Sequence, residues 1–225
     1  MSQELVYETD PLQFTCEHRH NGYEHPACFR KALPESFGFL DIETCNNFAA
    51  DFGSMLSWCL KFYGKEYYWG DVLKKSDYEM NCDRDKRIVT SLVTSLNKLS
   101  LLKVPFTIVT FYGDDYRFDM PFARSRALIY GLQFPTYGTL CSIDMYPIAK
   151  KKLKLHNGRL ESIQEAFHLK PEKTRIDIKH WQLATFGYNE ESLGYIYDHN
   201  VKDTAILEAV FELLRPYVKL SKKSV

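Results

Sequence analysis

The pattern of apolar and polar positions predicts an α/β domain. Five short apolar runs rich in β-branched and aromatic residues are typical of strands, and they lie at 37–42, 54–62, 66–69, 106–111 and 140–144. Apolar residues at helix spacing predict helices at 83–99, 119–130, 160–169, 178–186 and 191–214. The first three strands follow one another directly, so we expect an antiparallel meander that leads into alternating strands and helices. The sequence thus predicts a mixed five-stranded sheet flanked by helices.

The composition indicates a globular protein with one apolar core and balanced charge. The 225 residues are 45% hydrophobic, which is enough for one core, and 29 basic residues balance 29 acidic ones. Any basic surface for nucleic acid must therefore be local. No apolar run reaches the roughly 18 residues of a membrane span, and the first residues lack the basic start and apolar segment of a secretory signal. With six cysteines as well, we expect reduced thiols and a cytoplasmic protein.

The beginning of the chain suggests a separate zinc-binding element. We divide the chain into an irregular polar arm, an α/β domain and a basic tail, at residues 1–36, 37–218 and 219–225. The arm holds Cys16, His20, His25 and Cys28, with His18 as an alternative to His20. This spacing fits four tetrahedral ligands, and bound Zn²⁺ would fold a segment too short and polar to fold by apolar burial. The alternative is a loose arm with unrelated thiols.

Four acidic residues carry most of the chemistry in the sequence. Asp41 and Glu43 interrupt a buried strand and, being two apart, point to the same face of it. Asp119 starts a predicted helix, and Asp203 lies one helical turn after His199. Buried carboxylates are costly unless a positive group meets them, and a divalent cation would do so. Each motif alone is a common strand end or helix start, so their joint order is the informative observation.

Three stretches together resemble the DnaQ-like 3′–5′ exonuclease superfamily, which has the RNase H-like fold. They are FLDIET at 39–44, YGDDYRFDMPFARSRA at 112–127 and HNVKDT at 199–204. The resemblance extends over roughly 37–217 and is closest to the exonuclease domains of family-B DNA polymerases and their stand-alone bacterial and phage relatives. It implies metal-dependent hydrolysis of phosphodiester bonds at the 3′ end of a nucleic acid, with single-stranded DNA as the favoured substrate.

By this resemblance, Asp41, Glu43, Asp119 and Asp203 would hold two Mg²⁺ or Mn²⁺ ions about 4 Å apart. Relatives usually carry a tyrosine four residues before the last aspartate, or a histidine five before it. This chain has His199 four before and Asp198 five before. Histidine has a suitable ordinary pKa for a general base, so His199 would take a proton from the attacking water. Alternatively, His199 packs or caps.

The resemblance also suggests residues that could contact the substrate. Phe118 would lie against the terminal sugar or base, or else be a core aromatic. Relatives often carry asparagine where this chain has Asp115. Arg124 and Arg126, one turn beyond the motif that ends at Asp119, could contact substrate phosphates.

Two other features are expected to be structural. Lys150 to Lys154 is expected to be a solvated face, and Trp181, at helix spacing with its apolar neighbours, is expected in the core. The alternative functions are a nucleic-acid-binding module with an inactive site, a ribonuclease or endonuclease of the same fold, and an enzyme acting on small nucleotides.

Overall fold

The computed structural model describes residues 36–45, 49–102, 104–114, 117–171, 177–218, 220 and 222–225. The predicted zinc ligands Cys16, His18, His20, His25 and Cys28 lie outside these ranges, and so does Asp115. The zinc site therefore stays a prediction.

In the described residues the sheet has six strands, in the order β3-β2-β1-β4-β5-β6. They are β1 (Ser36–Thr44), β2 (Met55–Phe62), β3 (Tyr68–Val72), β4 (Phe106–Thr110), β5 (Cys141–Asp144) and β6 (Lys223–Ser224). The pairs β1–β2 and β2–β3 are antiparallel, which confirms the predicted meander. The pairs β1–β4 and β4–β5 are parallel, so the predicted mixed sheet is confirmed as well.

The prediction of five strands was wrong by one. Lys223–Ser224, in the predicted basic tail, forms β6 and pairs antiparallel with β5. A two-residue strand has no apolar run to reveal it, because its pairing depends on β5 and not on its own side chains.

Six α-helices surround the sheet in the described part of the chain. They are α1 (Lys86–Ser100), α2 (Asp119–Ile129), α3 (Met145–Lys152), α4 (Leu160–Phe167), α5 (Ile178–Phe186) and α6 (Glu190–Leu214). Two 3₁₀ segments, Lys75–Asp83 and Arg215–Tyr217, precede α1 and follow α6. The sequence did not predict α3, whose lysine-rich surface and Pro147 hide the helix pattern, although proline is tolerated in a first turn.

The two faces of the sheet bury separate apolar clusters. Leu40 and Ile42 of β1 pack with Trp58 in the cluster on the α1 face. Phe39 packs on the opposite face against Phe211 of α6, with ring centroids 5.6 Å apart. Burying one such side chain stabilises the fold by roughly 1.5–3 kcal/mol. Strand alternation then turns the other odd-numbered residues of β1 toward the α6 face.

Among the described residues, no helix is long and apolar enough to cross a membrane.

Candidate active site

The candidate site lies where the parallel strands end. Asp41 and Glu43 stand near the carboxyl end of β1, Asp119 follows the loop after β4, and Asp144 ends β5. Because β1, β4 and β5 are parallel neighbours, their carboxyl ends meet at one edge of the sheet, where α/β proteins commonly bind ligands. The pairing of β1 with β2 also shifts register after Glu43, an irregularity often found beside functional sites.

Helix α6 brings the last motif to the acids of β1. The Asn200 amide donates a 2.8 Å hydrogen bond from Nδ2 to Asp41 Oδ2. His199 Nε2 lies 4.0 Å from Glu43 Oε1 and 3.7 Å from Asp203 Oδ2. His199 and Asn200 are almost fully buried, with 1% and 0% exposure. The structure therefore brings together predicted site residues that are about 160 positions apart in sequence.

Asp119 is the predicted metal ligand that comes from α2. It is the first residue of α2 and only 5% exposed, and within the described ranges its Oδ2 accepts no hydrogen bond. Burial raises its pKa well above the ordinary value, and the negative charges of Asp41 and Asp144 raise it further. The carboxyl group is thus close enough to two other acids to be affected by their charges.

Gly113 makes room for the Asp119 carboxylate. A Cβ at this position would lie 2.4 Å from Asp119 Oδ2 and 2.7 Å from the Cβ of Thr110. Both distances are far below van der Waals contact, so a larger residue would displace the carboxylate or the end of β4.

Asp144 is a further acid of the site that was not predicted from the sequence. Its Oδ1 accepts hydrogen bonds from the backbone N–H groups of Tyr112 (2.9 Å) and Tyr146 (2.8 Å), and Oδ2 lies 3.0 Å from Nε of Arg117. Burial raises the pKa of Asp144, while these hydrogen bonds and the guanidinium oppose the rise. An aspartate directly before Met145–Lys152 is a helix N-cap, and that signal could have found it.

Trp181 is a site residue as well as the core residue that was expected. It is half-buried and packs against the α1-face cluster. Its Nε1 donates a 3.2 Å hydrogen bond to Glu43 Oε2, and its ring meets the His199 ring edge-on at 5.4 Å. Helix spacing in the sequence shows which face of α5 is buried but not which strand it meets.

The structure does not favour Arg126 as a substrate ligand. Arg126 is 5% exposed, donates a 3.0 Å hydrogen bond from Nε to Asp85 Oδ2, and donates another to the Ala50 carbonyl. Tyr130 OH also donates to Asp85. A guanidinium held in a buried ion pair cannot reach a phosphate without breaking that pair. These contacts give Arg126 a structural role, and its contact with substrate stays an untested prediction.

The other two predicted substrate contacts remain predictions. Arg124 is partly exposed, and its guanidinium lies 5.4 Å from the Phe134 ring centre. Phe118 is half-buried, packs against the core, and lies 5.4 Å from the ring of Phe122. This position agrees with the core interpretation of Phe118 and leaves part of its surface exposed.

The acids are the type of ligand that binds a divalent cation, but in this structure they do not form a complete coordination site. In the part of the chain that the structure describes, no three His, Cys, Asp or Glu side chains are grouped closely enough to hold a metal ion. Carboxylate oxygens are nevertheless the ligands that Mg²⁺ and Mn²⁺ prefer. The buried Asp119 Oδ2, with its raised pKa, would be relieved by a nearby positive charge. Cation binding would have to draw the carboxylates closer together.

Comparison with known proteins supports the fold. No family model matches the chain, and no curated protein matches it. A solved structure, that of the family B DNA polymerase from the hyperthermophilic archaeon Pyrobaculum calidifontis, is similar, with a TM-score of 0.63 and 14% sequence identity. The match covers 81% of this chain and 25% of the polymerase chain, so this chain spans about a quarter of the polymerase. At this identity the likeness shows a shared fold.

Proposed function

We propose that this chain is a two-metal-ion 3′–5′ exonuclease that hydrolyses phosphodiester bonds in nucleic acid, with single-stranded DNA favoured. The observation that carries the proposal is the meeting of the β1 acids with His199 and Asp203 at the carboxyl edge of the parallel strands. The fold shared with part of a DNA polymerase supports nucleic acid as the substrate. The resemblance of the three sequence motifs to DnaQ-like exonucleases supports the type of reaction.

The four carboxylates are the proposed metal ligands. Asp41, Glu43, Asp119 and Asp203 would hold Mg²⁺ or Mn²⁺. When bound, the ions would lower the pKa of the attacking water and stabilise the leaving 3′ oxygen.

Neighbouring residues hold this set in place. The Asn200 amide holds Asp41 by its hydrogen bond, and the Trp181 indole holds Glu43. His199, whose Nε2 faces Glu43 and Asp203, would take the proton of the attacking water. Each of these residues is fixed by burial or by a hydrogen bond, so the acids are held in a limited set of positions.

The second candidate is a nucleic-acid-binding module with an inactive site. It is favoured by one observation, the lack of a ready metal cluster among the described side chains. The two candidates differ in whether the strand is changed after binding, so a cleavage assay separates them.

The test uses a single-stranded DNA labelled at its 5′ end, incubated with Mg²⁺ or Mn²⁺ or with EDTA. A 3′–5′ exonuclease shortens the labelled strand stepwise and releases mononucleotides only when the metal is present. A circular single strand stays intact unless the enzyme cuts internally, and an RNA strand of the same sequence tests for ribonuclease action.

Three variants make the assay specific. Asp41→Asn and Asp203→Asn should each reduce cleavage by roughly 100-fold or more, because each removes a proposed metal ligand. Asp198→Asn is the matched control, since Asp198 is an exposed acid on the same helix, and it should cleave like the parent. Binding of the strand without metal-dependent cleavage would refute the exonuclease and support the binding module.

A further inference from the structure

We infer that Tyr112, Tyr146 and Arg117, with Lys150 beside them, form a stacking platform for unpaired nucleotides. We call these four residues the tyrosine platform. The inference rests on the proposed function, because it names the surface that would hold the strand beside the acidic site. None of these residues was predicted to bind substrate, and Lys150 was predicted only to lie on a solvated face.

The platform combines aromatic rings with positive charge. The rings of Tyr112 and Tyr146 meet edge to face, with centroids 4.9 Å apart and planes at 89°. The guanidinium of Arg117 lies 5.0 Å from the first ring centre and 4.7 Å from the second. The ammonium group of Lys150 lies 5.9 Å from the Tyr146 ring. Tyr112 is 49% exposed, so much of its ring is open to a ligand.

The platform is fixed to the acidic site through Asp144. The backbone N–H groups of Tyr112 and Tyr146 donate to one oxygen of Asp144, and Arg117 pairs with the other. Gly113, the residue after Tyr112, lies directly against the Asp119 carboxylate, since a Cβ on it would be 2.4 Å from Asp119 Oδ2. A base stacked on Tyr112 would therefore have its phosphate within reach of the proposed cleavage site.

The backbone of Tyr112 gives an independent indication of function. Its φ is +66°, in the left-handed region that tyrosine rarely adopts. The conformation is held by its N–H bond to Asp144 and by its carbonyl, which accepts from the Phe118 N–H at 3.2 Å. Because the Tyr112 side chain is 49% exposed, its burial offsets little of the cost of this backbone conformation. Such outliers cluster at sites that bind ligands.

Single-stranded nucleic acid is the ligand whose chemistry fits the platform. Every base has a face that stacks on an aromatic side chain, so such a platform tolerates any sequence. Lys150, which is exposed, supplies positive charge for the phosphates between the bases, while Arg117, paired with Asp144, holds the two rings in place. In a duplex the base faces are already stacked on each other, so only unpaired nucleotides can use the platform.

The test measures strand binding by fluorescence anisotropy in EDTA, which prevents metal-dependent cleavage. Tyr112→Asn removes the ring, and asparagine tolerates the left-handed backbone, so the fold should be kept. Loss of one stacked base predicts binding roughly 5- to 100-fold weaker for this variant. Tyr112→Phe keeps the ring and should restore binding. Tyr137→Asn is the matched control, because Tyr137 is 92% exposed and lies outside the platform.

A second comparison changes the DNA strand instead of the protein. Its main result comes from the parent protein and does not depend on the folding of a variant. A strand with abasic sites at its 3′ end should bind the parent protein more weakly than the normal strand, whereas Tyr112→Asn should bind both strands alike. DNA and RNA versions of the strand show whether the platform distinguishes the sugar.

The outcomes separate this inference from the proposed function. Equal binding of normal and abasic strands by the parent protein, or unchanged binding by Tyr112→Asn, overturns the platform even where metal-dependent cleavage is observed. Platform-dependent binding without cleavage supports the platform and overturns the exonuclease. No binding of any strand by the parent protein in EDTA overturns the platform, and the exonuclease is overturned as well if no cleavage occurs with Mg²⁺ or Mn²⁺.

Discussion

Replacing Asp119 by asparagine should stabilise the metal-free protein. Asp119 is buried, its Oδ2 accepts no hydrogen bond from the residues described, and the charges of Asp41 and Asp144 act on it unfavourably. Asparagine has nearly the same shape as aspartate and no charge, so Asp119→Asn removes the repulsion at little cost in packing. Stabilisation by loss of a functional charge is a common consequence of strained active sites.

The size of the effect follows from the burial of Asp119. A buried polar group without a hydrogen bond costs about 1–3 kcal/mol, and the amide of the variant recovers only part of this. We therefore expect a gain of about 1–2 kcal/mol in the free energy of unfolding. For a chain of this size each kcal/mol shifts Tm by about 2–4 °C, so Tm should rise by roughly 2–8 °C.

The pH dependence has a definite sign. The pKa of Asp119 is raised on folding, so the folded state holds its proton at pH values where the unfolded state has lost it. The contribution of Asp119 to stability is therefore lost as pH rises from about 4, the ordinary aspartate value, through the raised pKa. The difference in Tm between Asp119→Asn and the parent should thus be small near pH 4 and should grow toward neutral pH.

Thermal unfolding measured in EDTA and again with Mn²⁺ provides the assay. The cation should raise the Tm of the parent, because it binds the folded state, and should raise the Tm of Asp119→Asn less. Asp198→Asn, an exposed acid, should leave Tm nearly unchanged in both buffers. A metal-free Asp119→Asn protein that melts below the parent would refute the reasoning, as would an equal gain with Mn²⁺ in both proteins.

Three further predictions concern other parts of the chain. Gly113→Ala should reduce cleavage by at least about 10-fold with little loss of helix content by circular dichroism, because the added Cβ displaces the Asp119 carboxylate; unchanged cleavage would contradict this. Arg126→Met should lower the free energy of unfolding by about 3–5 kcal/mol in urea titration, since it leaves the buried Asp85 carboxylate without its counter-ion; a loss below about 1 kcal/mol would show that this ion pair matters little. Metal analysis of the full chain should find one zinc, and Cys28→Ser should lose it; a zinc-free parent protein would disprove the zinc site.

Local spacing in the sequence was sufficient to find the main acids. Asp41 and Glu43 share a strand face because side chains alternate, and His199 and Asp203 share a helix face because they are one turn apart. Both relations depend only on the element that holds the residues. The meander and the positions of most helices were predictable for the same reason.

Contacts between distant elements could not be predicted in this way. The hydrogen bond from Trp181 to Glu43 joins α5 to β1, and the ion pair of Arg126 with Asp85 joins α2 to the start of α1. Nothing in the sequence near either residue shows its partner. The left-handed backbone of Tyr112 is also set by its distant partner Asp144, and not by the preference of tyrosine.

Helix α6 ties the candidate site to the buried core. The same 25 residues hold His199 and Asp203 and also carry Phe211, which is completely buried against β1. Amide protons in the middle of such a helix exchange with deuterium only when the whole domain opens. Local unfolding of α6 is therefore not expected to move the proposed base or the last metal ligand. In hydrogen–deuterium exchange, the amides across 196–207 should therefore exchange only at the rate of global unfolding.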